Sequence, residues 1–336
     1  MSQLDLIGGL NAKLRGLVRR EDRPRWVEPM LATLIGEPFS GDDWVFERKL
    51  DGERCLASKD GDEVELRSRN HKSIAASYPE VAEVIARQPL GKLLVDGEIV
   101  ALVGGQTSFA RLQQRMQISD PERARATGIA VVYYVFDLLH ADGFDVSGLP
   151  LLERKRLMCD GLSFDGPLRY LGHRAGDGER LFAEACRRGW EGLIAKDIGA
   201  PYTSGRGRVW LKLKCVAEQE FVIGGFTEPK GTRVGLGAIL VGYYRDGLLI
   251  YAGKVGTGFS QQALRDLRGL LDGLEQPQPP FASAPTERGT HWVAPALVAE
   301  VGFAEWTRDG KLRQPRYVGL RRDKHPREVV REMPAG

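Results

Sequence analysis

The sequence predicts an α+β protein of two domains, a larger one in which antiparallel strands alternate with helices and a smaller one built almost wholly of strands. Three observations carry the prediction. At 336 residues the chain exceeds one comfortable core and suits two domains of unequal size. From Trp44 to Cys215, strand-like runs bounded by turn residues alternate with stretches at helical spacing. Beyond residue 216 strand follows strand, with few helices between. The expected organisation is a basic arm over 1–24, the larger domain over 25–215 and the smaller over 216–336.

The first stretch, with Lys13, Arg15, Arg19, Arg20 and Arg23 in the arm and Arg25 just beyond it, reads as an appendage outside the core, either a solvated terminal helix or a DNA-contacting segment. The larger domain opens on a β-meander: WVFERKL from Trp44, RCLASKD, a Gly61-Asp62 turn, then EVELRSR. Ser77 and Glu80 have capping-box spacing ahead of Val81, Val84 and Ile85, one face of a helix. LLVDGEIVAL and AVVYYVFDLL are further strands, and SFARLQQRMQ, PLLERKRLMCDGL and GERLFAEACRRGW are helical. In the smaller domain EFVIGGF, AILVGYY and LLIYAGKV are strands, the last two joined by an Asp246-Gly247 turn. The stretch QPQPPFASAPTERG, around 276–289, reads as an exposed loop.

A hydrophobic content of 42% and a charged content of 28% exclude a disordered or membrane-embedded chain. No apolar run is long enough to span a bilayer and the start lacks a signal-peptide core, so a cytoplasmic location and no membrane partner are expected. Cys55, Cys159, Cys186 and Cys215 are scattered, without a C-x-x-C pair or a histidine at ligand spacing. They argue against zinc, and for reduced core or strand residues rather than a disulfide framework. A net charge of +3 supports nucleic-acid binding only weakly.

The chemistry concentrates in Glu47-Arg48-Lys49-Leu50-Asp51-Gly52-Glu53-Arg54, where K-x-D-G-x-R ends a predicted strand; by composition such a match arises by chance on the order of one time in a hundred. Lysine there is a nucleophile if its amine sheds its proton, which burial and a nearby cation such as Arg54 favour. As an isolated match it reads equally as a surface lysine before an Asp-Gly turn. Lys212 and Lys214, two apart in WLKLK, can present both ammonium groups to one phosphate or form the wet face of an amphipathic strand. Glu98 and Glu191 are candidate metal-holding carboxylates if they converge. Phe136 is either core packing or a platform for a purine.

In order and spacing these motifs resemble the covalent nucleotidyltransferase superfamily, and within it the ATP-dependent DNA ligases. Ser68-Arg69-Asn70, Asp96-Gly97-Glu98, Phe136, Glu191 to Lys196, Lys212 with Lys214, and Arg321 to Lys324 fall where that family has its signatures, from about Pro29 to Lys324. FVIGGFTEPKG and YAGKVGTGF look like the ligase module of bacterial DNA ligase D, of non-homologous end joining. The resemblance implies an adenylyltransferase domain followed by a β-barrel OB-fold. It implies AMP carried on Lys49, ATP contacts from Glu47, Lys49, Arg54, Arg69, Glu98, Phe136, Glu191, Lys196, Lys212, Lys214, Arg321 and Lys324, and Mg2+, or Mn2+, on Glu98 and Glu191. Within these, Glu47 would read the adenine amino group, and Arg54 and Arg69 would lie near the ribose and a DNA 5′-phosphate. Arg321 and Lys324 would act on pyrophosphate if their domain closes. The implied substrate is nicked or broken double-stranded DNA, with a Ku-type end-binding partner and a nucleoid-associated monomer. An RNA ligase, a capping-type guanylyltransferase and a non-catalytic DNA-end scaffold are the rival readings.

Overall fold

A computed structural model describes residues 6–24, 26–215, 217–229, 231, 234–287 and 289–332. Arg25, Lys230 and Arg288, which the sequence reading drew on, lie outside the described residues, as do 1–5 and 333–336. The chain divides into two compact units that meet in sequence after Cys215.

The larger unit holds two sheets. The first has the order Arg19–Arg20, Phe144–Asp145, Val131–Ala141, Lys92–Val103, Glu53–Asp60, Glu63–Ser68, with two short strands beside this path. The second has the order His173–Gly176, Gly41–Lys49, Gly192–Asp197, Gly205–Lys214, Met30–Leu34, antiparallel except for the last pair. Behind the first sheet lies a core that includes Tyr133, Val135, Val95 and Ala57 with Val81, Val84 and Ile85 of the Pro79–Ala86 helix. Each such aliphatic side chain contributes about 1.5–3 kcal/mol on burial. The second sheet packs Phe46, Leu193, Ala195, Leu211 and Leu213 against Leu181 and Ala185 of the Gly178–Arg187 helix. A third cluster, with Phe136 and Val100 from one sheet and Met30 and Trp210 from the other, joins them.

The main sheet of the smaller unit has five antiparallel strands in the order Leu248–Val255, Ala238–Arg245, Ala217–Thr227, Thr290–Phe303, Arg316–Leu320, and Glu305–Trp306 pairs with Leu312–Arg313 apart from it. A Thr257–Arg316 bridge links the two outer strands, and the Gln261–Asp272 helix lies between the third and fourth in sequence. This is the partly closed barrel of an OB-fold. Asp246 and Gly247, at φ of 50° and 76°, make the expected two-residue hairpin turn.

Four expectations are corrected. Residues 6–24 are no free arm: Leu6 and Leu10 are buried in the larger core, and Arg19–Arg20 pairs with Phe144–Asp145. The cationic residues there masked an apolar stripe. Ser77 does not cap its helix; its hydroxyl donates to the Ile118 carbonyl and Tyr78 is the cap residue. Phe281, in the loop read as exposed, is buried in the barrel core. Cys186 and Cys215 form a disulfide across 29 residues, with Cα atoms 5.1 Å apart, because the helix end and the strand end meet beside Glu191, whose carbonyl accepts the Cys215 N–H. Scattered spacing carries no trace of such adjacency.

Candidate active site

Register places the nucleophile candidate. Gly192 pairs with Lys49 on one side and Lys214 on the other, and Ile194 pairs likewise with Glu47 and Lys212. Paired residues share a face, and the face alternates along each strand, so Glu47, Lys49, Lys196, Trp210, Lys212 and Lys214 all stand opposite the apolar side that packs on the Gly178–Arg187 helix. Gly192 can only be glycine, because a Cβ there would lie 1.8 Å from the Leu213 carbonyl oxygen. Lys49 ends its strand and is ion-paired with Glu191.

Behind Lys49 the Glu47 carboxylate is 1% exposed. One oxygen accepts from Lys155 Nζ at 2.6 Å and the other is ion-paired with Lys196 Nζ at 2.8 Å. Burial alone would raise the Glu47 pKa; Lys155 and Lys196 outweigh it and hold it below the ordinary value. Burial works the same way on the lysines with opposite results. Lys155 is held above its ordinary value because Glu47 outweighs burial, whereas in Lys196 burial wins, helped by Lys155, and the ammonium is pulled down to about 8. Lys196 lies 4.2 Å from the Phe136 ring centre and 4.0 Å from that of Trp210.

The first sheet supplies the facing wall. Arg54 grips Asp96 with two hydrogen bonds, at 2.5 and 2.6 Å, and donates to the Met30 carbonyl at 3.2 Å. The Tyr202 hydroxyl donates to the same carboxylate at 2.7 Å. The Arg54 guanidinium lies 4.8 Å from the Phe136 ring centre. It is thus paired with Asp96, while Lys49 is paired with Glu191. Phe136 sits at the register slip between Asp96–Asp137 and Gly97–Val135, a bulge that re-aims its ring. Glu98 pairs in register with Arg54 and Tyr134 and packs beside Gly52, where an added Cβ would be 3.0 Å from its Cγ and 2.2 Å from the Ile99 oxygen. Glu191 therefore meets the Lys49 end of the Lys49–Gly52 segment and Glu98 its Gly52 end. Arg69 is half-buried in the turn after the Glu63–Ser68 strand.

In the barrel, Arg321 donates to Glu300 at 3.0 Å and to Asp323 at 3.0 and 2.9 Å, and Lys324 donates to Glu220 at 3.1 Å.

Residues 29–214 match the model of the ATP dependent DNA ligase domain, more than half of the 336 residues, and 232–324 match that of the ATP dependent DNA ligase C terminal region. The chain belongs to the ATP-dependent DNA ligases. It is 38% identical over 323 residues to the multifunctional non-homologous end joining protein LigD of Pseudomonas aeruginosa, covering 93% of this chain and 37% of that protein. It is 38% identical over 313 residues to the multifunctional non-homologous end joining DNA repair protein LigD of Mycobacterium tuberculosis, covering 90% and 40%. The chain thus spans about two fifths of the length of these relatives. A solved mycobacterial DNA ligase D complexed with ATP and MES matches with a TM-score of 0.66 at 37% identity, over 90% of this chain and 98% of that one.

In this ligase, sequence reasoning missed Lys155, Asp96, Tyr202 and Trp210 as parts of the site. The signal for Lys155 was present. Leu151, Arg154, Lys155, Leu157 and Met158 repeat at helical spacing on the buried side of one helix, and a charge on an apolar face demands a partner. Arg154 finds Asp137, and Lys155 finds Glu47. Asp96 lay inside the recognised Asp-Gly-Glu motif, overshadowed by Glu98.

Proposed function

We propose that this ligase carries AMP on Lys49 and seals nicked or broken double-stranded DNA. The observation that supports this most is the register that sets Lys49, Glu191, Lys212 and Lys214 on one end of one sheet face. The Lys49 amine attacks the α-phosphorus of ATP, an N–P bond forms, the bond to the bridging oxygen breaks and pyrophosphate leaves. Lys212 and Lys214 take the charge that builds on the non-bridging oxygens. AMP then passes to a DNA 5′-phosphate, and a 3′-hydroxyl attacks that phosphate to form the phosphodiester and release AMP. Glu47 reads the adenine 6-amino group, Phe136 stacks on the purine, and Arg54, Arg69 and Lys196 complete the nucleotide and 5′-phosphate contacts. Arg321 and Lys324 orient pyrophosphate.

Glu98 and Glu191 would hold the metal. No group of three or more His, Cys, Asp or Glu with metal-holding geometry occurs among the described residues, so the donor set suits Mg2+, or Mn2+, that shares its shell with substrate phosphates and water. Bound there, the metal would supply positive charge to the phosphate oxygens. No helix among the described residues is long and apolar enough to cross a membrane. We place the protein as a monomer on nucleoid DNA in a bacterial cytoplasm, in end joining beside a Ku-type partner, on the strength of the LigD relatives.

The test is incubation with ATP labelled separately on the α- and γ-phosphates, followed by denaturing separation. Label is expected only from the α-position and only on wild type, not on Lys49→Ala. Label retained by Lys49→Ala overturns the assignment.

A further inference from the structure

Lys155 is a buried cation with three hydrogen bonds at the site and has no part in the chemistry above. It reaches from the Leu151–Gly161 helix to the Glu47 carboxylate at 2.6 Å, to the Leu171 carbonyl at 3.1 Å and, more weakly, to the Phe136 carbonyl at 3.5 Å, with the Tyr170 ring centre 4.6 Å away. The side chain is 2% exposed. A helix that only had to pack on the sheet would do so at lower cost with a leucine or methionine, since desolvating an ammonium commonly outweighs what its ion pair returns. The lysine ties together Glu47 and the backbone of Phe136, the two groups read above as holding the purine edge and face. Lys196 does not substitute for it, because it is paired with the other oxygen of the Glu47 carboxylate and is held against the Phe136 and Trp210 rings.

We propose that Lys155 is a positioning residue that sets the purine selectivity of the ligase: it fixes the Glu47 carboxylate so that a remaining lone pair accepts from an amino group at purine position 6. A carboxylate has about four lone-pair sites. Lys155 takes one in good geometry and leaves acceptor capacity directed by that bond. A purine with a carbonyl at position 6 brings acceptor against acceptor and is rejected. Without Lys155, the carboxylate is held by Lys196 at one oxygen only, the other is left undirected, and either purine fits about as badly. The proposal rests on Glu47 being the base-reading residue, and the experiment separates the two.

Formation of the covalent nucleotide would be measured with ATP and with GTP for wild type, Lys155→Met, Lys155→Arg and Glu47→Gln, with thermal unfolding as the check on folding. Lys155→Met is expected to lower the ratio of kcat/KM for ATP over GTP at least about tenfold, the scale of one charge-assisted hydrogen bond in a specificity pocket. The loss should fall mainly on the KM for ATP. Lys155→Arg, which keeps a donor toward Glu47, should restore most of the ratio, which a merely structural role would not produce. If Lys155→Met does not fold, Lys155→Gln takes its place with the same expectation. Unchanged selectivity in a folded Lys155→Met or Lys155→Gln, beside a collapse in Glu47→Gln, overturns the role of Lys155 alone. Unchanged selectivity in Glu47→Gln overturns both the proposal and the reading of Glu47 beneath it.

Discussion

Charged motif residues are held differently in the two units. In the larger unit Glu47 stands between two lysines and Arg54 opposite one aspartate, so the buried clusters behind the pocket carry a surplus of positive charge. In the barrel Arg321 and Lys324 meet three carboxylates, Glu220, Glu300 and Asp323, and the surplus is negative. A polyphosphate therefore finds a pre-charged surface in the larger unit. In the barrel the cations are stored against acids and must give up part of that pairing before they serve an anion. Preorganised charge costs stability when no ligand is bound, and buried pairs of this kind are the ones whose breakage is expensive.

The largest effect expected from this contrast is at Asp96. Its side chain is 0% exposed and serves both Arg54 and Tyr202, so Asp96→Asn takes from the guanidinium its ion-pair carboxylate and should destabilise the larger unit by about 3–5 kcal/mol. Chemical denaturation that finds less than about 1 kcal/mol would mean that water reaches Arg54 and that the pocket is not preorganised. Next comes the disulfide. Cys186→Ser opens a loop of 29 residues and should cost about 3–4 kcal/mol by chain entropy. Reductant should destabilise wild type by the same amount and leave the variant unmoved.

Lys196 gives a smaller effect with a definite sign. Its native pKa, about 8, lies below its ordinary 10.5, so between pH 8 and 10 the unfolded chain holds more of this proton than the native state and stability rises with pH. The rise should be on the order of 2 kcal/mol. The rise is opposed from about pH 9 by Cys55, whose thiol burial pushes well above the ordinary 9.0, and above pH 10 by Tyr78, Tyr133 and Tyr202, whose hydroxyls burial pushes well above the ordinary 10; these groups keep their protons in the native state while the unfolded chain loses them. Thermal unfolding from pH 7 to 9 should show the rise in wild type and no rise in Lys196→Met. A rise that survives in the variant would place its source elsewhere.

Much of this was legible in the chain. Period and turn residues located the strands that carry Lys49, Arg54, Glu98, Phe136 and the lysine pair, and the boundary near residue 216, because half-buried strands and hairpin turns write themselves locally. The partners of those residues were not legible in the same way. Lys155 lies 108 positions from Glu47, Asp96 lies 42 from Arg54 and Tyr202 lies 106 from Asp96, and no local pattern encodes such meetings. What the sequence does hold is the demand for a partner. Asp137 within an apolar strand and Arg154 and Lys155 on a buried helix face are each incompatible with an unpaired fate. The disulfide left no demand of this kind, since a free buried cysteine is as acceptable as a paired one. In the N-terminal segment, a few leucines among many cations were outvoted in the reading although they decide the packing.

The smallest effect tests the barrel's side of the contrast. Glu300 is buried and accepts one hydrogen bond from Arg321, whose guanidinium also holds Asp323 through two. In Glu300→Gln the amide oxygen keeps the shape and one acceptor, and Arg321 keeps an anion, so only the charged part of one bond is lost. Denaturation of the full chain should register about 1 kcal/mol, several-fold less than Asp96→Asn, where the guanidinium loses its only carboxylate in the pair. A cost equal to that of Asp96→Asn would show that Arg321 depends on Glu300 as Arg54 depends on Asp96. The barrel motif would then be as rigidly built as the nucleotide pocket, and the distinction between pre-charged and stored cations would fail.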